Sequence, residues 1–122
     1  MSANATPCLH RALGAIVLHS GTLSTVLKAD LEFGDQVLVT TAHSTYSIYA
    51  LGNNRYSVSG GWFDRHGLSP METEIAGCTW GGSVIKWDIV AACGLHLEFG
   101  NRVVTSRIRK VSVIRCETKS AN

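Results

Sequence analysis

Charge is the scarcest ingredient of this sequence. Asp, Glu, Lys and Arg make up 16% of its 122 residues, against about 25% in an ordinary globular domain. A chain this short has a large surface for its volume, and few charges to cover it. The shortage predicts that part of the surface is buried against a second copy, so a homo-oligomer is expected. Long apolar runs are also missing. No stretch of eighteen apolar residues occurs, which excludes a membrane-spanning helix. The run from Ala12 to Leu18 after Arg11 is short and ends at His19, with no clean small-residue cleavage site behind it. It is therefore not read as a leader, and a soluble, cytoplasmic protein is expected.

The usual marks of chemistry are absent too. The four cysteines, Cys8, Cys78, Cys93 and Cys116, form no C-x-x-C pair, so the common zinc and redox spacings are missing. In a reducing compartment they are expected to be small buried hydrophobes, with a disulfide as the alternative in an exported protein. The five histidines show no H-x-x-x-H or H-x-H spacing. Ser44 follows His43 without a G-x-S-x-G elbow. The segment Gly77-Cys78-Thr79-Trp80-Gly81-Gly82-Ser83 is glycine-rich but lacks the phosphate-loop spacing and its lysine. It reads as a strand bent at glycines. No catalytic residue, metal ligand or cofactor is expected.

What is present is a β pattern. Apolar residues reach 45%, enough for one core and one domain over residues 1–122. No linker, repeat or low-complexity stretch divides it. Thr6-Pro7 is a helix-start signal. Leu9, Leu13, Ile16 and Val17 follow at helical spacing, which predicts one helix near residues 8 to 18. Residues 1–33 are assigned to this helix and its connection, 34–116 to a β-barrel and 117–122 to a loose tail. Residues 22 to 33 suit either a helix extension or a strand.

From Gly34 onward, two-residue alternation predicts strands at Asp35 to Thr41, Ser44 to Leu51, Arg55 to Gly61, around Thr73 and Ile75, and at Val111 to Arg115. Gly52-Asn53-Asn54 is a turn. Residues 64 to 71 are a loop. Ile89, Ala91, Cys93, Leu95, Leu97 and Phe99 share one parity, which predicts one long strand bent at Gly94. Gly100-Asn101 then turns Arg102 to Thr105 back beside it. Tyr46, Ile48, Val58, Ile75, Cys93, Leu95, Leu97 and Ile108 are expected in the core. The fold class is mainly β: a small, strongly bent barrel of about six to seven short strands with one N-terminal helix, because closure removes exposed edges.

The segment Val103-Val104-Thr105-Ser106-Arg107-Ile108-Arg109-Lys110-Val111-Ser112-Val113 resembles the last strand–turn–strand of Sm-like and SH3-like barrels. By strand pattern the resemblance covers residues 34 to 115. It implies an N-terminal helix, a strongly bent sheet and a short turn before the last strand. The bacterial Lys-His pair of the Sm-like closing motif would fall near Ser106-Arg107, where this sequence has neither residue. Gly60-Gly61, Gly81-Gly82-Ser83 and Thr105-Ser106 also resemble features of small bacterial proteins, which implies no activity.

Two surfaces stand out. Arg102, Arg107, Arg109, Lys110 and Arg115 make the C-terminal strands basic, and a row of cations can face phosphates. The net charge of +2 is too small to argue for nucleic acid alone. The rival reading is a strand edge protected by charge. Trp62, Phe63, Trp80 and Trp87 are dense for so short a chain, and of these Trp62, Phe63 and Trp80 are candidates for an interface between subunits, since aromatics anchor contacts. They also suit stacking on bases or a core. Three functions are therefore expected, in order: a non-enzymatic binding or assembly module acting as a homo-oligomer, a nucleic-acid-binding barrel, and an enzyme or metal site built from Cys and His.

Overall fold

The computed structural model describes residues 24–81 and 84–116. The helix expected near residues 8 to 18 and the tail after residue 116 lie outside them. The described chain is mainly β, as its sequence predicts, and its principal sheet is strongly curled into a half-barrel.

The centre of the sheet is a meander of β2 (Gln36–Thr41), β3 (Thr45–Gly52) and β4 (Arg55–Gly60). Alternate residues point to opposite faces of a strand. Val37, Val39, Tyr46, Ile48, Ala50, Tyr56 and Val58 accordingly share one buried face. The register aligns Val37 with Ile48 and Ile48 with Val58. Asn53 and Asn54 close the β3–β4 hairpin at φ +54° and +58°, a conformation asparagine tolerates better than most residues. Strand β9 (Ile108–Ile114) pairs with the outer side of β2, with Val111 opposite Val39 and Val113 opposite Val37.

Strand β5 (Met71–Thr79) is shared. Its first half pairs with β4, while its second half pairs with β6 (Ile85–Lys86) and with β8 (His96–Phe99). The sheet therefore runs β6-β5-β4-β3-β2-β9, with β8 branching from β5. A separate ribbon joins β1 (Thr25–Leu27) to β7 (Ile89–Ala92). Strand β7 touches β5, β8 and β9, and its four residues are all buried. Phe63, Phe99, Ile48, Ile75 and Leu97 fill the enclosed space. Seven of the eight expected core residues are buried there.

Three local expectations are corrected. The long strand from Ile89 to Phe99 is two strands, because the chain turns at Gly94 and sends β7 to β1 but β8 to β5. Cys93 sits at that turn and is only half-buried, so it is not a core residue. Residues Gly61–Arg65 form a short helix, α1, inside a stretch read as strand end and loop. The glycine pair permits it. A Cβ at Gly60 would strike the Thr45 carbonyl, and one at Gly61 would strike the Tyr46 ring. With both absent, α1 lies against Tyr46, whose hydroxyl accepts from the Trp62 N–H at 3.3 Å. Residues 22 to 33 resolve toward a strand: the described part, from residue 24, holds β1 and one 3-10 turn (Lys28–Asp30).

One buried carboxylate ties the start of β2 to the end of its neighbour β9. Asp35 is 2% exposed. It accepts from Arg115 Nη1 at 2.8 Å, from the Cys116 N–H at 2.9 Å and from the Glu32 N–H at 2.9 Å. A carboxylate this deep needs such partners, since an unpaired buried charge is costly.

Candidate functional site

The basic residues are dispersed by the fold. Arg102 occupies the turn after β8, where its N–H donates to the Phe99 carbonyl at 2.9 Å. Arg107 is exposed just before β9, and Arg109 and Lys110 are exposed on it. The β2–β9 pairing is irregular between Thr40 and Thr41, where Lys110 and Ile108 stand opposite. This explains two outward residues in succession. Arg115 is held by Asp35 and by the Asp30 carbonyl. Its guanidinium serves the fold and is a poor candidate for a phosphate. Arg107, Arg109 and Lys110 remain as one exposed basic segment at the open edge of β9.

The aromatic candidates also separate. Phe63 is fully buried and packs edge-on against Phe99 at 5.0 Å and Tyr46 at 6.3 Å. It is a core residue and offers no surface to a partner. Trp62 is half-buried against the core, with its ring stacked on His66 at 4.2 Å. Trp80 alone of the three is well exposed, at 60%. Val84 and Trp87, its neighbours in the hairpin, were not among the interface candidates but are exposed as well, at 62% and 72%. Parity gave no signal for Trp87, which shares the odd positions of Ile85, Ile89 and Ala91.

These three side chains belong to one hairpin. Thr79 stands opposite Ile85 and Cys78 opposite Lys86, so Trp80 and Val84 flank the tip and Trp87 follows β6. The base of the tip is braced. The Gly81 N–H donates to Thr79 Oγ1 at 3.1 Å. Gly81 lies beside the His96 ring, and His96 Nδ1 is 2.9 Å from the Thr105 carbonyl. The Trp87 backbone passes so close to Gly77 that no Cβ fits between them. The backbone that carries the indoles is thus fixed, while the indoles face solvent.

The described Cys and His residues do not gather into one cluster. Among the described residues no group of three His, Cys, Asp or Glu is placed to hold a metal. Cys78 is fully buried, and burial pushes its thiol up to about 12. A nucleophilic cysteine needs the opposite shift. Its Sγ–H instead donates to the Val90 carbonyl at 3.6 Å. Cys116 is disulfide-bonded, which corrects the expectation of reduced thiols for that residue. The first three residues of the glycine-rich segment, Gly77 to Thr79, belong to β5, as its reading as a bent strand predicts.

No protein family, curated protein or solved structure matches this chain.

Proposed function

We propose that this chain is a non-enzymatic assembly module that binds a second copy of itself through the β5–β6 hairpin. The observation that carries the reading is the exposure of Trp80, Val84 and Trp87 on one braced hairpin. Tryptophan is the residue most enriched among interface anchors, and each indole buries up to about 250 Å². At about 25 cal/mol per Å², leaving two of them in water forgoes several kcal/mol. The two edges of the sheet support the choice of face. Arg107, Arg109 and Lys110 guard the β9 edge, where like charges would repel a second copy. Strand β6 at the other edge has Lys86 as its one charge.

Light scattering at tens of micromolar, a range that detects ordinary interfaces, tests this. The wild type is expected above monomer mass, and Trp80→Ser with Trp87→Ser is expected to return it to monomer. A monomeric wild type overturns the proposal.

A second reading keeps the exposed Arg107, Arg109 and Lys110 as a weak phosphate-binding segment. Such binding would be nearly independent of sequence and would fall steeply with salt. Replacing Arg107 and Arg109 by alanine should then flatten the salt dependence for single-stranded RNA by about one to two units. No binding at low salt removes this reading. The Sm-like or SH3-like kinship is part of the same proposal. The curled sheet and the short turn at Ser106 between the bridge at Val104 and β9 support it. No described helix is long and apolar enough to cross a membrane. The Cys116 disulfide favours an oxidising compartment over the cytoplasm expected from the sequence, because cytosolic thiol buffers reduce such bonds.

A further inference from the structure

The end of β6 and the turn after it carry a charge pattern that fits itself. Lys86, Trp87 and Asp88 are consecutive and all exposed. A cation and an anion thus stand on either side of an indole. Among the described residues neither Lys86 nor Asp88 forms an ion pair, since the pairs present belong to Arg55 and Arg115. The backbone of the triplet is held along its length. Lys86 stands opposite Cys78 in the β5–β6 ladder. The Trp87 backbone fits against Gly77, which has no Cβ to exclude it. The Asp88 carbonyl accepts from the Lys28 N–H at 2.9 Å. A segment fixed in this way loses little freedom when it binds.

A closed pair of identical chains needs a surface complementary to itself. In a two-fold contact, if residue i meets residue j, then j meets i. Turning the triplet end for end about Trp87 meets this condition. It sets Lys86 against Asp88 of the second copy at both ends and brings the two indoles together at the axis. An axis at Lys86 would instead oppose two ammonium groups, and an axis at Asp88 two carboxylates. Like charges face to face oppose association. The apolar flanks agree with the axis at Trp87. Val84 before the triplet is exposed, and so is Leu27, which is in register with Ile89 just after it.

We propose that two copies meet about a two-fold axis at Trp87, with Lys86 of each chain paired to Asp88 of the partner subunit. This rests on the self-association proposed above. It adds the symmetry, the residue at the axis and the charges that select an identical partner. Trp87 is the central anchor, since binding energy concentrates in aromatic residues near the middle of an interface. Lys86 and Asp88 form the rim around it and set the register. A two-fold contact is used up by one partner, so assembly stops at the dimer.

Sedimentation equilibrium of the whole chain at low salt tests the axis. The wild type is expected as a dimer. Lys86→Glu opposes carboxylates at both ends of the contact, and Asp88→Lys opposes ammonium groups. Each should weaken the dimer by about tenfold or more. The variant with both changes merely exchanges the charges and should dimerise like the wild type. An equimolar mixture of the two single variants should recover the dimer mass as a heterodimer, because each supplies the charge the other lacks. Recovery also shows that both variants are folded. Salt at about 1 M, where screening acts within about 3 Å, should bring the single variants back toward the wild type. A monomeric wild type overturns self-association and the axis with it. If the wild type is a dimer but the single variants dimerise equally well, or stay monomeric when mixed, the axis at Trp87 is wrong and the hairpin interface still stands. A wild type larger than a dimer also overturns the axis, because a two-fold contact closes at two.

Discussion

The β2–β4 meander with β9 and the β5–β8 segment are built from similar residues, yet they bury them in different ways. In the meander the buried positions alternate strictly, and each strand has one face in the core and one in solvent. In the second region burial runs on without a break. Gly77, Cys78 and Thr79 are all buried in succession, as are all four residues of β7. The cause is topology. The end of β5 lies between β6 and β8, with β7 packed against it. A strand covered on both faces has no polar side to display. Alternation thus reports one-sided burial, and it disappears where the chain wraps around itself.

Glycine substitutions give the sharpest contrast between the regions. Gly77 sits at φ +144°, and its missing Cβ leaves room for the Lys86 carbonyl and the Trp87 backbone. Gly77→Ala should cost about 4 kcal/mol, since strain and overpacking add. Gly52 in the meander has φ +88° and open space around it. Gly52→Ala should cost only about 1–2 kcal/mol. Equal losses in urea denaturation would break the comparison.

Core truncation comes next. Leu97→Ala removes a fully buried side chain of β8 and should cost about 2–5 kcal/mol. Leu38 lies on the outer face of the meander and is half-exposed. Leu38→Ala should cost under about 1 kcal/mol. Similar midpoints for the two variants would show that the parity is misassigned.

Asp35→Ala tests the clamp that joins the start of β2 to the end of β9. It leaves the half-buried Arg115 unpaired and the Glu32 and Cys116 N–H groups unsatisfied, so a loss of about 3 kcal/mol is expected. Arg115→Ala should be as harmful, because it strands the buried carboxylate. If both variants unfold at the wild-type temperature, the clamp contributes nothing to stability.

Alkaline pH should weaken the β5 region through Cys78. Its thiol has an ordinary value of 9.0 when exposed and is pushed up to about 12 by burial. Above pH 9 the unfolded chain releases this proton while the folded chain retains it. The associated stability is complete below pH 9 and is lost as the pH rises toward 12, by about 1.4 kcal/mol per unit. Tyr56 and Tyr49, both raised above 10.0 by burial, act in the same direction at somewhat higher pH. Unfolding curves at pH 8 and pH 11 should separate for the wild type and draw together for Cys78→Ala. The smallest effect is expected at the hairpin tip. Trp80→Ser and Trp87→Ser should each change monomer stability by no more than about 0.5 kcal/mol, whatever they do to association.

The sequence was legible where local rules and tertiary burial agree. Asn53-Asn54 announced its turn, and Tyr46, Ile48 and Val58 announced their face, because a hairpin is decided by neighbours in the chain. It was misread where distant segments decide. Nothing local says that Ile89 to Ala92 pairs with Thr25 to Leu27 while His96 to Phe99 pairs with β5. The helix at Gly61–Arg65 was missed because only the Thr45 carbonyl beside Gly60 and the Tyr46 ring beside Gly61 explain the glycines. Arg115 looked like the other basic residues of its segment until Asp35, eighty positions away, claimed it.

By itself, then, the sequence determined a mainly β chain, the alternation of its central strands and the residues that fill most of its core. Those follow from side-chain period and turn chemistry, which act over a few residues. Only the tertiary structure decided which cation is a clamp and which aromatic faces water. Each of these depends on what lies across the fold, and no local pattern of residue types encodes that distance.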